Sequence, residues 1–179
     1  MLEHSLEKNE SRREELLQET ALGRFIAVIE DRPFLRECFR RSIQLVLELP
    51  VIGFSSVVEL DRENRSALPR LVILSRAESS KEAIAAAVHS LTRHSCSAPF
   101  VFLSDQNDPD LARMVISSGA KGWIPATMRF DIAIEALRFI LAGGTYVPMD
   151  YVLEPGPRSP KAIAMRRGGR RSTPRLPCD

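Results

Sequence analysis

The chain has 179 residues and a mass of 20.0 kDa, enough for one ordinary domain and a shorter extension but not for two full domains of ~100 to 150 residues each. It is 44% hydrophobic and 27% charged, a globular balance that excludes wholesale disorder, and with aromatics at 6% the core falls to Leu, Ile, Val and Ala. The net charge of +2 hides an asymmetry: from Pro155 onward seven basic residues face one acid, Asp179, so a mildly acidic body carries a basic tail.

The first 22 residues are rich in Glu, Arg and Lys, with Leu2, Leu6, Leu16 and Leu17 among their few large apolar groups, and are expected to form a charged, helical extension. They are too charged for a signal peptide. No apolar run approaches the ~18 residues that suggest a membrane span, so a soluble cytoplasmic protein without membrane contact is expected. Cys38, Cys96 and Cys178 are odd in number and far apart, with no C-x-x-C pair, which agrees with that compartment.

From Arg24 the pattern changes. Phe25 to Ile29 is a five-residue apolar run typical of a strand buried on both faces. Asp31, placed to cap, and Pro33 open a helix whose apolar positions Leu35, Cys38, Phe39, Ile43 and Val46 recur at three- and four-residue steps, until Pro50 stops it. Val51 to Phe54 is a second strand, and Ser56-Val57-Val58-Glu59 a capping box. Arg70 to Leu74 is a third strand, followed by a second capping box at Ser79-Ser80-Lys81-Glu82 and a helix with Ile84, Val88 and Leu91 on one face.

Pro99 to Leu103 is a fourth strand, and Asp108-Pro109 supplies an N-cap and an N1 proline for a helix holding Leu111, Met114, Val115 and Ile116, ended by Gly119. Lys121 to Ile124 is a fifth strand, and Asp131 to Leu141 a last helix ended by Gly143-Gly144. Five strands alternating with five helices require right-handed crossovers and hence a doubly wound parallel α/β sheet. The predicted domain spans residues 23–150, and 151–179 form a tail rich in Pro and Arg, expected to be disordered.

Such sheets place function at the carboxyl ends of their strands. After the first strand stand Glu30 and Asp31, either a cap with a solvated acid or two oxygen ligands for a divalent cation such as Mg²⁺. Ser104 and Asp105 follow the fourth strand, where a hydroxyl either orients a phosphoryl oxygen or starts a turn. Other candidates fall away on spacing: His89, His94 and Cys96 lack further ligands, Gly143-Gly144 follows a helix instead of opening one, and Ser75 has no identifiable general base.

The run Val28-Ile29-Glu30-Asp31-Arg32-Pro33-Phe34-Leu35-Arg36-Glu37 resembles the opening strand, acidic pair and first helix of response regulator receiver domains. Ser118-Gly119-Ala120-Lys121-Gly122-Trp123-Ile124-Pro125, Ala136-Leu137-Arg138 and Leu141-Ala142-Gly143-Gly144-Thr145-Tyr146-Val147-Pro148 are similar to the end of receivers joined to LuxR-type helix-turn-helix outputs. The resemblance covers roughly Arg24 to Pro148. It implies a flavodoxin-like sheet of strand order 2-1-3-4-5 and a place in two-component phosphorelay signalling.

In that family an aspartate at the end of strand three accepts the phosphoryl group, Mg²⁺ neutralises its oxygens, and a lysine after strand five pairs with the product. Aligned here, the acceptor position falls on Ser75 and the lysine position on Ala126, and Lys121 lies three positions before the loop. Glu78 is a further candidate to lend a carboxylate near that pocket. Trp123 takes the aromatic switch position, with an indole packed in place as the simpler alternative. The resemblance therefore implies a degenerate, phosphorylation-independent receiver: no enzyme, no cofactor beyond residual Mg²⁺ at Glu30 and Asp31, and a protein partner or homodimer across helix four, strand five and helix five. Met114, Val115, Ile134 and Arg138 lie on those segments.

Two alternatives remain from the sequence. One is a small-ligand sensor using the vacated acidic pocket. The other is a DNA-associated regulator whose Arg166, Arg167, Arg170 and Arg171 neutralise phosphates without reading bases.

Overall fold

The computed structural model describes residues 24–63, 68–76, 80–94 and 98–152. The expectations placed on the N-terminal extension, Glu78, Cys96, Cys178 and the arginines of the tail lie outside the described residues. Strands β1 (Ile26–Ile29), β2 (Val51–Phe54), β3 (Leu71–Arg76), β4 (Phe100–Ser104) and β5 (Gly122–Pro125) alternate with α1 (Pro33–Leu47), α2 (Val57–Glu63), α3 (Lys81–His94), α4 (Pro109–Ser117) and α5 (Phe130–Leu141). A further turn of helix, α6 (Met149–Val152), follows. All strand pairs are parallel and the order is β2-β1-β3-β4-β5, the flavodoxin-like arrangement.

Side chains alternate across each strand, so the sheet feeds two cores. On one face Ile29, Leu74, Phe102 and Trp123 form a row in register across four strands, beneath Leu60 of α2, Ile84 and Val88 of α3, and Leu111 and Val115 of α4. On the other, Val28, Ile73 and Val101 meet Ile43 and Leu47 of α1 and Ile134, Leu137 and Ile140 of α5. Each of these side chains stabilises the fold by about 1.5–3 kcal/mol when fully buried. The second row ends at Gly122, where a Cβ would lie 2.6 Å from Cδ1 of Ile140 and 3.2 Å from Cγ1 of Val101. Gly122→Ala should therefore cost about 1–3 kcal/mol through overpacking, measurable as a lower urea midpoint with unchanged slope.

Local chemistry departs from the sequence expectations at several helix starts. The cap of α1 is Arg32, with no side-chain capping bond, and Asp31 is exposed; the Arg32 amide is held by the carboxylate of Glu30. Ser56 caps α2 through its Oγ, which accepts from the Glu59 amide, but Glu59 turns back to Ser55 instead of closing the reciprocal box. Ser80, one residue later than expected, caps α3 by accepting from the Ala83 amide. Asp108 caps α4 as expected, accepting from the amides of Asp110 and Leu111 while pairing with Lys81 at 2.7 Å. Glu48 in the left-handed region ends α1 before Pro50 is reached. Gly119 and Gly143, both at φ 98°, turn the chain after α4 and α5, a conformation that only glycine adopts without strain.

The chain after α5 folds back along β5. The amide of Trp123 donates to the carbonyl of Tyr146 at 3.0 Å, and that of Tyr146 to the carbonyl of Lys121 at 2.9 Å. Helix α6 then lies against α4 with Tyr151 7% exposed, so the folded unit runs past the boundary expected at residue 150. Among the described residues no helix is long and apolar enough to cross a membrane.

Candidate functional site

The ladder between β1 and β3 pairs Ile29 with Leu74, which puts the next residues, Glu30 and Ser75, side by side at the strand ends. β3 continues through Ser75 and Arg76, two residues past the expected end, because their backbones pair with Leu103 and Ser104 of β4. Glu30 is fully buried and Ser75 is 2% exposed, and the Ser75 hydroxyl donates to Oε2 of Glu30 at 2.6 Å.

The remaining capacity of that carboxylate goes to Arg32. Oε1 accepts from the Arg32 amide at 3.0 Å and from its Nε at 2.9 Å, while Oε2 accepts from Nη2 at 3.0 Å. The guanidinium thus grips both oxygens in the fork geometry that arginine offers a carboxylate. Its Nη1 reaches toward Asp105 at 3.9 Å. Burial pushes the Glu30 carboxyl up, but the bonds from Arg32, Ser75 and the Arg32 amide outweigh it and hold the group at about 2. Arg36 adds a bond from Nη1 to the carbonyl of Glu30 at 2.7 Å, with its stem lying over Gly53.

The other positions are placed as follows. Ser104 is 1% exposed, and its hydroxyl is spent on the local turn, accepting from the Gln106 amide at 3.0 Å. Ala126 is exposed, and its amide donates to the carbonyl of Ser104 at 2.7 Å. No ammonium faces Ser75 from that loop: Lys121 precedes β5 at the opposite end, its amide bonded to the carbonyl of Phe100. Asp31 is exposed while Glu30 is fully buried, so the two members of the acidic pair stand in different surroundings. A magnesium ion does not fit this set, since the buried carboxylate already holds a cation, and the hydroxyl beside it points its proton at Glu30. Among the described residues no group of three or more His, Cys, Asp or Glu could hold a metal ion.

Trp123 is fully buried, stacked on Phe102 at 5.3 Å and 17° and tilted against Tyr151 at 5.6 Å and 50°. Its Nε1 has no acceptor among the described residues. Of the residues expected on a contact surface, Val115 and Ile134 are core side chains on opposite faces of the sheet. The helical period identified their apolar faces, and those faces turned inward. Met114 is half-buried, and Arg138 is spent on α1, donating to the carbonyl of Val46 at 2.8 Å.

Arg32 and Arg36 escaped the sequence reading. The available signal was Glu-x-Arg at the exit of a buried strand, a spacing at which a long cationic side chain can fold back onto the acid.

These features define the fold as that of a response regulator receiver domain. A LuxR family DNA-binding response regulator from Silicibacter pomeroyi superposes with a TM-score of 0.60 at 20% identity, covering 70% of this chain and 97% of that one. The isolated receiver domain of RcsB from Salmonella enterica serovar Typhimurium, solved in the presence of phosphomimetic beryllium fluoride, gives 0.61 at 16% identity over 73% of this chain and 96% of its own. A response regulator from Thermotoga maritima gives 0.58 at 17%, covering 68% and 99%. No protein-family model and no curated protein matches the sequence.

Proposed function

We propose that this chain is a degenerate receiver that works without phosphorylation, as a non-enzymatic module of cytoplasmic two-component-type signalling or transcriptional control acting through protein contacts. The observation that carries the reading is the Glu30–Arg32–Ser75 network. A side-chain guanidinium sits on the carboxylate that a metal would need, and a hydroxyl stands where an acyl phosphate would form. A built-in cation of this kind holds the strand ends in one arrangement with no input from phosphate. The same network speaks against a sensor in the acidic pocket, whose buried acid is already satisfied.

A homodimer or partner contact across α4, β5 and α5 remains part of the proposal, with a changed set of residues. Phe130, Ile132 and Phe139 of α5, 50%, 47% and 54% exposed, are the large apolar groups accessible there among the described residues, and Met149 at the start of α6 is 67% exposed. Incubation with acetyl phosphate and Mg²⁺, read by intact mass and by light scattering after size exclusion, should leave both mass and oligomeric state unchanged. A phosphoryl adduct lost on hydroxylamine treatment would overturn the reading, because that chemistry reports an acyl phosphate.

A further inference from the structure

A cavity of about 580 Å³ lies beyond the carboxyl ends of β4 and β5, and none of Glu30, Arg32, Ser75 or Ser104 lines it. Its walls come from three separate segments. Asn107 and Pro109 lie at the start of α4, Pro125, Thr127 and Met128 at the end of β5 and in the loop into α5, and Pro148, Asp150 and Tyr151 in the returning chain and its helix α6. The volume falls within the ~300–1,000 Å³ usual for small-molecule sites.

The chemistry of the wall selects a class of ligand. Three prolines and Met128 offer apolar surface, the prolines with little conformational entropy to lose on binding, and Tyr151 adds an aromatic ring. The amide of Asn107, the hydroxyl of Thr127 and the carboxylate of Asp150 have no side-chain partner among the described residues. Among the described residues Asp150 is the one charged group in the lining, with no Lys, Arg or His beside it. An anion would meet an uncompensated carboxylate, which disfavours phosphorylated ligands; a cation would meet a carboxylate, two further oxygen acceptors and an aromatic ring.

Tyr151 also couples the cavity to the core. Its ring meets the buried indole of Trp123, which lies two residues before Pro125 on β5 and therefore on the same sheet face.

We propose that this cavity binds a small organic amine, its ammonium group at Asp150 and its flat apolar body between the prolines and Tyr151. The site is separate from the Glu30 network, and its test does not depend on whether the chain is phosphorylated.

Trp123 is the only tryptophan in the chain, so its emission reports directly on Tyr151. Titration of the full chain with phenethylamine should give a saturable change in that emission. 3-Phenylpropanoate, with the same ring and the opposite charge, should bind at least tenfold more weakly. Asp150→Asn should weaken the amine about tenfold, the loss expected for a charge-assisted hydrogen bond. Thr127→Arg, at an exposed position, should abolish the response by filling the cavity with a like charge, with the melting temperature confirming the fold. A response that rises without saturating, that is equal for the two probes, or that survives Asp150→Asn would overturn the proposal.

Discussion

Replacing Arg32 with Met should lower stability by about 2 kcal/mol at neutral pH, because it leaves the buried carboxylate of Glu30 without its cation. Breaking a fully buried pair costs about 3–5 kcal/mol, and the smaller figure applies because the Arg32 side chain is 42% exposed and partly screened. The effect should depend on pH in a defined direction. The carboxyl sits at about 2 in the folded chain against an ordinary value of 4.5, so the unfolded chain binds its proton first as pH falls. The contribution is therefore complete above about 4.5 and is lost as pH drops toward about 2. Melting curves of the two proteins should converge across that window. A gap that stays constant down to pH ~2 would show that Arg32 acts through something other than this carboxylate. Adding Glu30→Gln to the Arg32→Met variant should restore part of the loss, since the neutral amide keeps an oxygen for the Ser75 hydroxyl and the Arg32 amide without burying a charge.

If the chain is the degenerate receiver proposed above, its strand-end carboxylate carries its own cation. Glu30 is satisfied by Arg32 and Ser75, Ser104 by its own loop, and the Ala126 methyl offers no cation to an incoming anion. On that reading nothing in this set gains by binding a phosphoryl group. Input to such a domain would then come from contacts or ligands elsewhere on its surface, and the cavity beside Tyr151 and the exposed side of α5 are the places where groups remain unspent.

The order of the elements could be read from the chain because the strands are buried on both faces and so appear as uninterrupted apolar runs, as in Phe25 to Ile29. The strand-end alignment could be read too, since Glu30, Ser75, Ser104 and Ala126 each follow directly from a strand register. What could not be read was set by tertiary partners. The direction of the long side chain of Arg32 depends on where β3 delivers Ser75, and the inward turn of Val115 and Ile134 depends on which side of each helix meets the sheet. The return of Tyr151 onto Trp123 was missed for another reason: four residues of α6 are too few to show a helical period.

Trp123 tests whether the aromatic on β5 is a switch or a structural member. It is fully buried, completes the row of Ile29, Leu74 and Phe102, and is held between the rings of Phe102 and Tyr151. Trp123→Ala should then cost about 3–5 kcal/mol, the range for emptying a large aromatic site that cannot collapse. Trp123→Phe should cost far less, within about 1.5 kcal/mol of the parent, because the lost volume is offset by removal of a buried N–H that has no acceptor among the described residues. Urea unfolding of the two variants separates the cases, followed by far-ultraviolet circular dichroism since both lack the fluorophore. A ring that swings between pocket and solvent would be only loosely held here, and Trp123→Ala would then cost less than about 1 kcal/mol, far below a core truncation. A large penalty with a small one for Phe places the indole among the side chains that hold β5, α4 and the returning chain together.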